Sequence, residues 1–280
     1  MRILITLITF LGACTVLPPR DALITCHNGN CAHSDPKRDD TMEALHESLA
    51  LEIDGRAVID GIEIDLIWDP RTSRCVYEHD HIDADFAPET TVPVAAVAAH
   101  LRERRSAAAW NGETFVVKFE LKPGAAPDQR DLSPAEMEAL ADCALARSDE
   151  LQAAADDAGL ALTVIYESEN EVQLRALPER PAWCAERAGR HAARQLAVTQ
   201  WRTARGMSDA VGVVTMYWKD ARDGDYTRYQ DLEAAGVDLM MWGFDASEEA
   251  LAAYEYVVPT YINTNEAPLL RRWVTSGARR

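Results

Sequence analysis

Two carboxylates set two residues apart in an otherwise apolar run, "GIEIDLIWD" at 61–69, are the first residues in this sequence that call for chemistry. In a strand, alternation puts Glu63 and Asp65 on one face and Ile62, Ile64 and Leu66 on the other. Like charges buried side by side need a cation or a shared proton, so the pair predicts a hard metal ion or a proton-sharing dyad. The spacing recurs in "VVKFELK" at 116–122, where Glu120 and Lys122 share a face opposite Val117, Phe119 and Leu121. The bland alternative is a salt-bridged core in which Lys118 and Lys122 neutralise the acids. His27 ends the run "ALITCHNG" from 22, and His79 stands in "CVYEHDHID" from 75, after a stretch expected to fold back. Two histidines beside a carboxylate-bound divalent cation supply a general base and a general acid near neutral pH. His33, His46, His81, His100 and His191 are read as surface or core histidines. Cys26, His27 and Cys31 lack the paired spacings of a structural zinc site.

The elements that must position these residues alternate along the chain. Strand-like runs begin near 22, 61, 114, 160, 196, 212, 237 and 256, and helical patterns cover 41–52, 92–105, 133–158, 226–235 and 247–254. In "SPAEMEAL", Ser133 is an N-cap, Pro134 occupies the first helical position and Glu136 completes a capping box. Eight strands with crossover helices predict an α/β fold, a single (β/α)8 TIM barrel, with an open doubly wound sheet as the rival. The acids and Lys122 fall late in their runs, at the barrel end where active sites lie. No Gly-rich phosphate loop follows a strand, which argues against dinucleotide or Walker-type sites.

With 280 residues, 46 acidic against 28 basic side chains and a net charge of -18, the chain repels polyanions and offers no basic stripe, so nucleic acid is excluded as an expected partner. Residues 1–13 read as a secretory signal, too short to span a bilayer permanently. Leu11-Gly12-Ala13-Cys14 resembles the lipobox of bacterial lipoproteins. That implies cleavage before Cys14, a lipid anchor on it, a short tether at 14–21 and a domain at 22–280 facing the periplasm from the cell envelope. A plain signal peptide is the alternative. In an oxidising compartment the expected bridges are Cys31–Cys75 and Cys143–Cys184.

Taken in order, His27-Asn28-Gly29, "DDTMEAL" at 39–45, "GIEIDLIWD", "YEHD" at 77–80 and "FELK" at 119–122 resemble the glycerophosphodiester phosphodiesterase family, whose pattern runs HRG, ENT, E-x-D, HD and E-x-K. "AAGVDLMMWGFD" and "YINTNEAPLLRRW" resemble its late segments. The resemblance implies a TIM-barrel phosphodiesterase that binds Mg²⁺ or Ca²⁺ through Glu63, Asp65 and Glu120. It also implies His27 and His79 as the acid-base pair and Lys122 as a phosphate contact. A substrate hydroxyl then attacks phosphorus, so no Ser or Cys nucleophile is needed. Two departures stand out. Asn28 replaces the family's arginine, a bidentate phosphate donor, which leaves substrate preference open. "DDT" replaces ENT, with Asp39 a candidate to hold the metal's ligands from behind and Asp40 or Thr41 a candidate helix cap. Asn28 and Trp242 are expected to contact substrate, Trp242 by cation–π or apolar contact. The chain is also similar to sphingomyelinase D-type phospholipases, which is the alternative activity; a non-catalytic envelope lipoprotein with a binding role is the second alternative.

Overall fold

The computed structural model describes residues 22–32, 39–78, 92–104, 114–125, 130–168, 195–198, 213–220, 238–243, 247–257 and 259–275. The expected signal segment and tether, Cys14, His33, His79, His81, Cys184, His191 and the expected helix at 226–235 lie outside these residues.

The strands are β1 (Leu23–Cys26), β2 (Glu52–Ile53), β3 (Arg56–Ala57), β4 (Gly61–Asp69), β5 (Arg74–Tyr77) and β6 (Thr114–Ala125). They continue as β7 (Arg130–Asp131), β8 (Ala161–Ser168), β9 (Gln195–Val198), β10 (Val213–Tyr217), β11 (Asp238–Trp242) and β12 (Tyr261–Thr264). Among them run helices α1 (Met42–Leu49), α2 (Val92–Arg104), α3 (Pro134–Ala158), α4 (Glu248–Val257) and α5 (Ala267–Thr275). The main sheet has the order β5-β4-β1-β12-β11-β10-β9-β8-β6-β7, and β4 pairs with β6 as well. Pairings from β4 through β1 and β12 to β6 are parallel, while β5 and β7 are antiparallel additions. The result is a mostly parallel, curled α/β sheet of TIM-barrel kind.

Alternation decides what the two faces of the curl contain. Ile24, Ile62, Ile64, Phe119 and Val164 pack outward against Leu45, Val97, Leu101, Leu140 and Leu151 of the helices. Each such buried side chain contributes roughly 1.5–3 kcal/mol. The concave face has a small apolar floor of Val116, Ile165, Val213, Met240 and Tyr261, with Leu23 against it. Two residues further along the same strands stand Lys118, Glu167, Thr215, Trp242, Asn263 and Thr25. The inside therefore turns from apolar to polar in one step, toward the C-terminal strand ends. Gly61 makes the β4–β6 junction possible, because a Cβ there would lie 2.3 Å from the Val116 carbonyl oxygen.

Three expectations need correction. The strand expected from 256 begins at Tyr261, and Tyr256 and Val257 belong to α4. Glu248 and Glu249 favour that helix's first turn, and Pro259 ends it. The bridges Cys31–Cys75 and Cys143–Cys184 are not the ones formed: Cys26 pairs with Cys31 and Cys75 with Cys143. The first pair closes over the helical turn His27–Gly29, and the second follows from the register of the expected fold-back, which spacing alone does not reveal. β5 returns antiparallel beside β4, its turn held by the Asp69 carboxylate, which accepts from Arg71 N at 3.0 Å and Thr72 Oγ1 at 3.1 Å. That fold-back brings Cys75 to Cys143 of α3. Ser133 caps α3 as expected, within a full capping box.

Candidate active site

His27 opens a single 3-10 turn at the end of β1, in which Asn28 and Gly29 adopt left-handed backbone angles of φ 49° and 63°. Asn accepts that conformation more readily than most residues. Gly29 is required on a second count, since a Cβ there would meet Tyr77 Oη at 2.6 Å. The His27 side chain is 26% exposed and sits between two partners. Its Nδ1 donates to Asn265 Oδ1 at 2.7 Å, and its Nε2 faces Glu63 Oε2 at 3.7 Å. The Asn265 bond fixes the tautomer and leaves Nε2 as the nitrogen free to take a proton.

Beneath His27 lie the acids. Glu63 is fully buried; its Oε2 accepts the Asn28 backbone N–H at 3.1 Å and Asn263 Nδ2 at 2.9 Å, and its Oε1 pairs with Lys118. Asn263 in turn accepts from Thr25 Oγ1 at 3.0 Å. Glu120 pairs with Lys122 through Oε1 and with Lys118 through Oε2 at 3.1 Å. Glu167 pairs with Lys118 and accepts from Thr215 Oγ1 at 2.6 Å. Asp65 has one distant cation, Lys122 at 3.6 Å from Oδ1, and its Oδ2 accepts nothing among the described residues.

Charge follows this geometry. Burial pushes Glu63 up, but Lys118 and His27 outweigh it and hold the carboxyl well below the usual range. Burial raises Asp65 well above that range, and Asp40, Glu120 and Glu63 add to the shift against the pull of Lys122. Burial also raises Glu167, to about 7, with Glu120 and Glu63 contributing. Lys118 is driven well above the usual lysine value: Glu167, Glu63 and Glu120 overcome the cost of its burial.

The expected ligands Glu63, Asp65 and Glu120 and the expected phosphate contact Lys122 thus lie together, all buried. The tightest grouping nevertheless includes a different acid: oxygens of Glu63, Glu120 and Glu167 lie within 4.8 Å of one another. Three buried carboxylates and the orphaned Asp65 Oδ2 are the donor chemistry of a hard divalent cation. Asn28 turns its Nδ2 to Asp39 Oδ2 at 3.3 Å, and Asn30 donates to Asp39 Oδ1 at 2.8 Å. Thr41, not Asp40, caps α1, accepting from Ala44 N at 3.2 Å. Trp242 and Tyr217 occupy paired positions at the ends of β11 and β10, with ring centroids 4.7 Å apart, and wall the inside above Thr215. His79 lies outside the described residues, two positions beyond Tyr77 at the end of β5.

Sequence reasoning missed Glu167, Asn263 and Asn265. Glu167 carried the same sign as Glu120, an acid late in an apolar strand. The two asparagines carried none, because their role arises from the pairing of β12 with β1.

A curled parallel sheet with acids, a lysine and a histidine at its C-terminal strand ends is the arrangement of a barrel enzyme. No protein-family model matches the sequence, and no curated protein matches it. Solved structures share the fold. A glycerophosphodiester phosphodiesterase from Parabacteroides distasonis is 13% identical, with a TM-score of 0.60 over 92% of this chain and 98% of its own. A phosphodiesterase from Oleispira antarctica, in complex with the product sn-glycerol-3-phosphate, is 11% identical, with a TM-score of 0.56 over 91% and 97%. A glycerophosphodiester phosphodiesterase from Agrobacterium tumefaciens is 15% identical, with a TM-score of 0.52 over 91% and 100%.

Proposed function

We propose that this chain is a metal-dependent phosphodiesterase that cleaves glycerophosphodiesters or the head groups of lysophospholipids. The observation that carries the reading is His27, held by Asn265 with Nε2 free above buried carboxylates, in a fold shared with three phosphodiesterases. A divalent cation, Mg²⁺ or Ca²⁺, held by Glu63, Asp65 and Glu120 supplies neutralising charge for a phosphate oxygen. His27 Nε2 takes the proton of a substrate hydroxyl, whose oxygen bonds to phosphorus. The bond from phosphorus to the leaving alcohol breaks, and His79 returns a proton to that oxygen, leaving a cyclic phosphate. Lys122 and Asn28 contact the phosphate, and Trp242 with Tyr217 flanks the head group. The complete (β/α)8 repeat, with a helix after every strand, and a lipid anchor at Cys14 holding the domain at the periplasmic side of the envelope belong to the same reading.

Incubation with glycerophosphocholine, lysophosphatidylcholine and sphingomyelin, with Mg²⁺, Ca²⁺ or EDTA, followed by phosphorus NMR, tests it. The expected result is turnover of the first two, lost in EDTA. Turnover of sphingomyelin alone makes the enzyme sphingomyelinase D-like, and none at all overturns the catalytic reading. Cys14→Ser is expected to move the protein from the membrane fraction to the soluble one.

A further inference from the structure

Of the acids lining the site, Glu167 completes the tightest carboxylate group, and Asp40 stands apart from it. The bonds around them reverse the order that proximity suggests. Lys118 is 3% exposed at its side chain, and its ammonium has three protons for three carboxylates, Glu63, Glu120 and Glu167. Both Glu167 oxygens are taken, one by Lys118 and one by Thr215 Oγ1 at 2.6 Å. An ion held by Glu63 and Glu120 would take over their pairing with Lys118 and leave that lysine to Glu167, which Thr215 also holds.

Asp40 is the converse case. Its backbone is fixed in a left-handed conformation of φ 60°, its N–H donates to the Asn28 carbonyl at 2.9 Å, and the next residue caps α1. Its Oδ1 is buried and accepts nothing among the described residues. It interacts electrostatically with Glu63, Lys122 and Asp65. Asp65 is 0% exposed, with Oδ2 equally without a partner, and the nearby Tyr77 hydroxyl, on a residue 3% exposed, also has none among the described residues. Buried carboxylate oxygens left in this state call for a cation or a proton. Hard cations take six or more oxygens, so a further carboxylate beside Asp65 has a place.

We infer that Asp40 is an additional ligand of the divalent cation, alongside Asp65, and that Lys118 with Glu167 forms a built-in counter-charge that braces Glu63 and Glu120 when no ion is bound. The inference rests on the proposed use of a divalent cation and names which further residue serves it.

Titration of the purified full chain with Mn²⁺, Ca²⁺ or Mg²⁺ alone, by calorimetry and by the electron paramagnetic resonance of bound Mn²⁺, separates the two acids. Asp40→Asn is expected to raise the metal Kd by at least about tenfold, while Glu167→Gln changes it less than about threefold. Wild type is expected to remain folded in EDTA, whereas Lys118→Met melts at a lower temperature in EDTA and recovers on adding Ca²⁺. Should Lys118→Met fail to fold, the comparison of Asp40→Asn with Glu167→Gln still decides. Unchanged affinity in Asp40→Asn, a tenfold loss in Glu167→Gln, or no metal binding by wild type overturns the inference. Cleavage of glycerophosphocholine is scored separately. A metal Kd that depends on Asp40 in a protein with no turnover overturns the proposed function and leaves this inference standing. Turnover with an Asp40-independent Kd does the reverse.

Discussion

In the proposed mechanism the chemistry turns on His27, whose Nδ1 is held by Asn265 and whose Nε2 takes the proton. His27→Ala is expected to lower kcat by about 10²- to 10⁴-fold, the usual contribution of a general base, with the circular dichroism of wild type retained. Asn265→Leu removes only the bond that orients the ring, worth roughly 1 kcal/mol, so kcat is expected to fall about fivefold. A displaced acid limb of the pH–rate profile would separate that role from mere packing. At this scale the sequence was legible where alternation governs. Glu63, Asp65, Glu120 and Lys122 could be grouped from spacing because strand geometry forces them to one face. Lys118 was placed only as a neutralising core residue, and the structure indeed pairs it with Glu63 and Glu120, adding Glu167. Asn263 and Asn265 were not legible, since nothing local says which strand lies beside β1.

Helix α3 shows how much an element can announce in its first turn. Ser133 Oγ accepts from Glu136 N at 3.4 Å, and the Glu136 carboxylate returns to Ser133 N at 2.9 Å and pairs with Arg130. Ser133→Ala is expected to cost about 1 kcal/mol in thermal denaturation. Arg130 and the Ser133 bonds hold the Glu136 carboxyl at about 2, against an ordinary 4.5. A depressed carboxyl stabilises the fold above its unfolded pKa and loses that effect as the pH falls toward its folded one. Stability is therefore expected to decline as pH drops from about 4.5 to about 2, and Glu136→Gln to flatten that part of a melting-temperature profile. The cap was legible because it is local. A fold-back after β4 was expected, but its antiparallel register beside β4 was not legible, since the turn depends on Asp69 bonding across to Arg71 and Thr72, and with it went the pairing of Cys75 with Cys143.

Across the whole molecule, the parallel sheet was legible from the alternation of apolar runs with helical patterns, and the tight approach of β4 to β6 at Gly61 was not. Gly61 has no sequence mark that separates it from a glycine in any turn, yet it permits β4 to meet β6. Gly61→Ala is expected to destabilise the protein by about 1–3 kcal/mol in urea unfolding, because the strands must part to admit a methyl group. The pairing of β1 with β12 has a consequence of another kind. His27 and Asn265 are 238 residues apart in the chain, as are Thr25 and Asn263. The turn that carries His27 leaves the ribosome 238 residues ahead of the asparagine that orients its ring, so under the proposed mechanism the base stays unoriented until that whole stretch has been made.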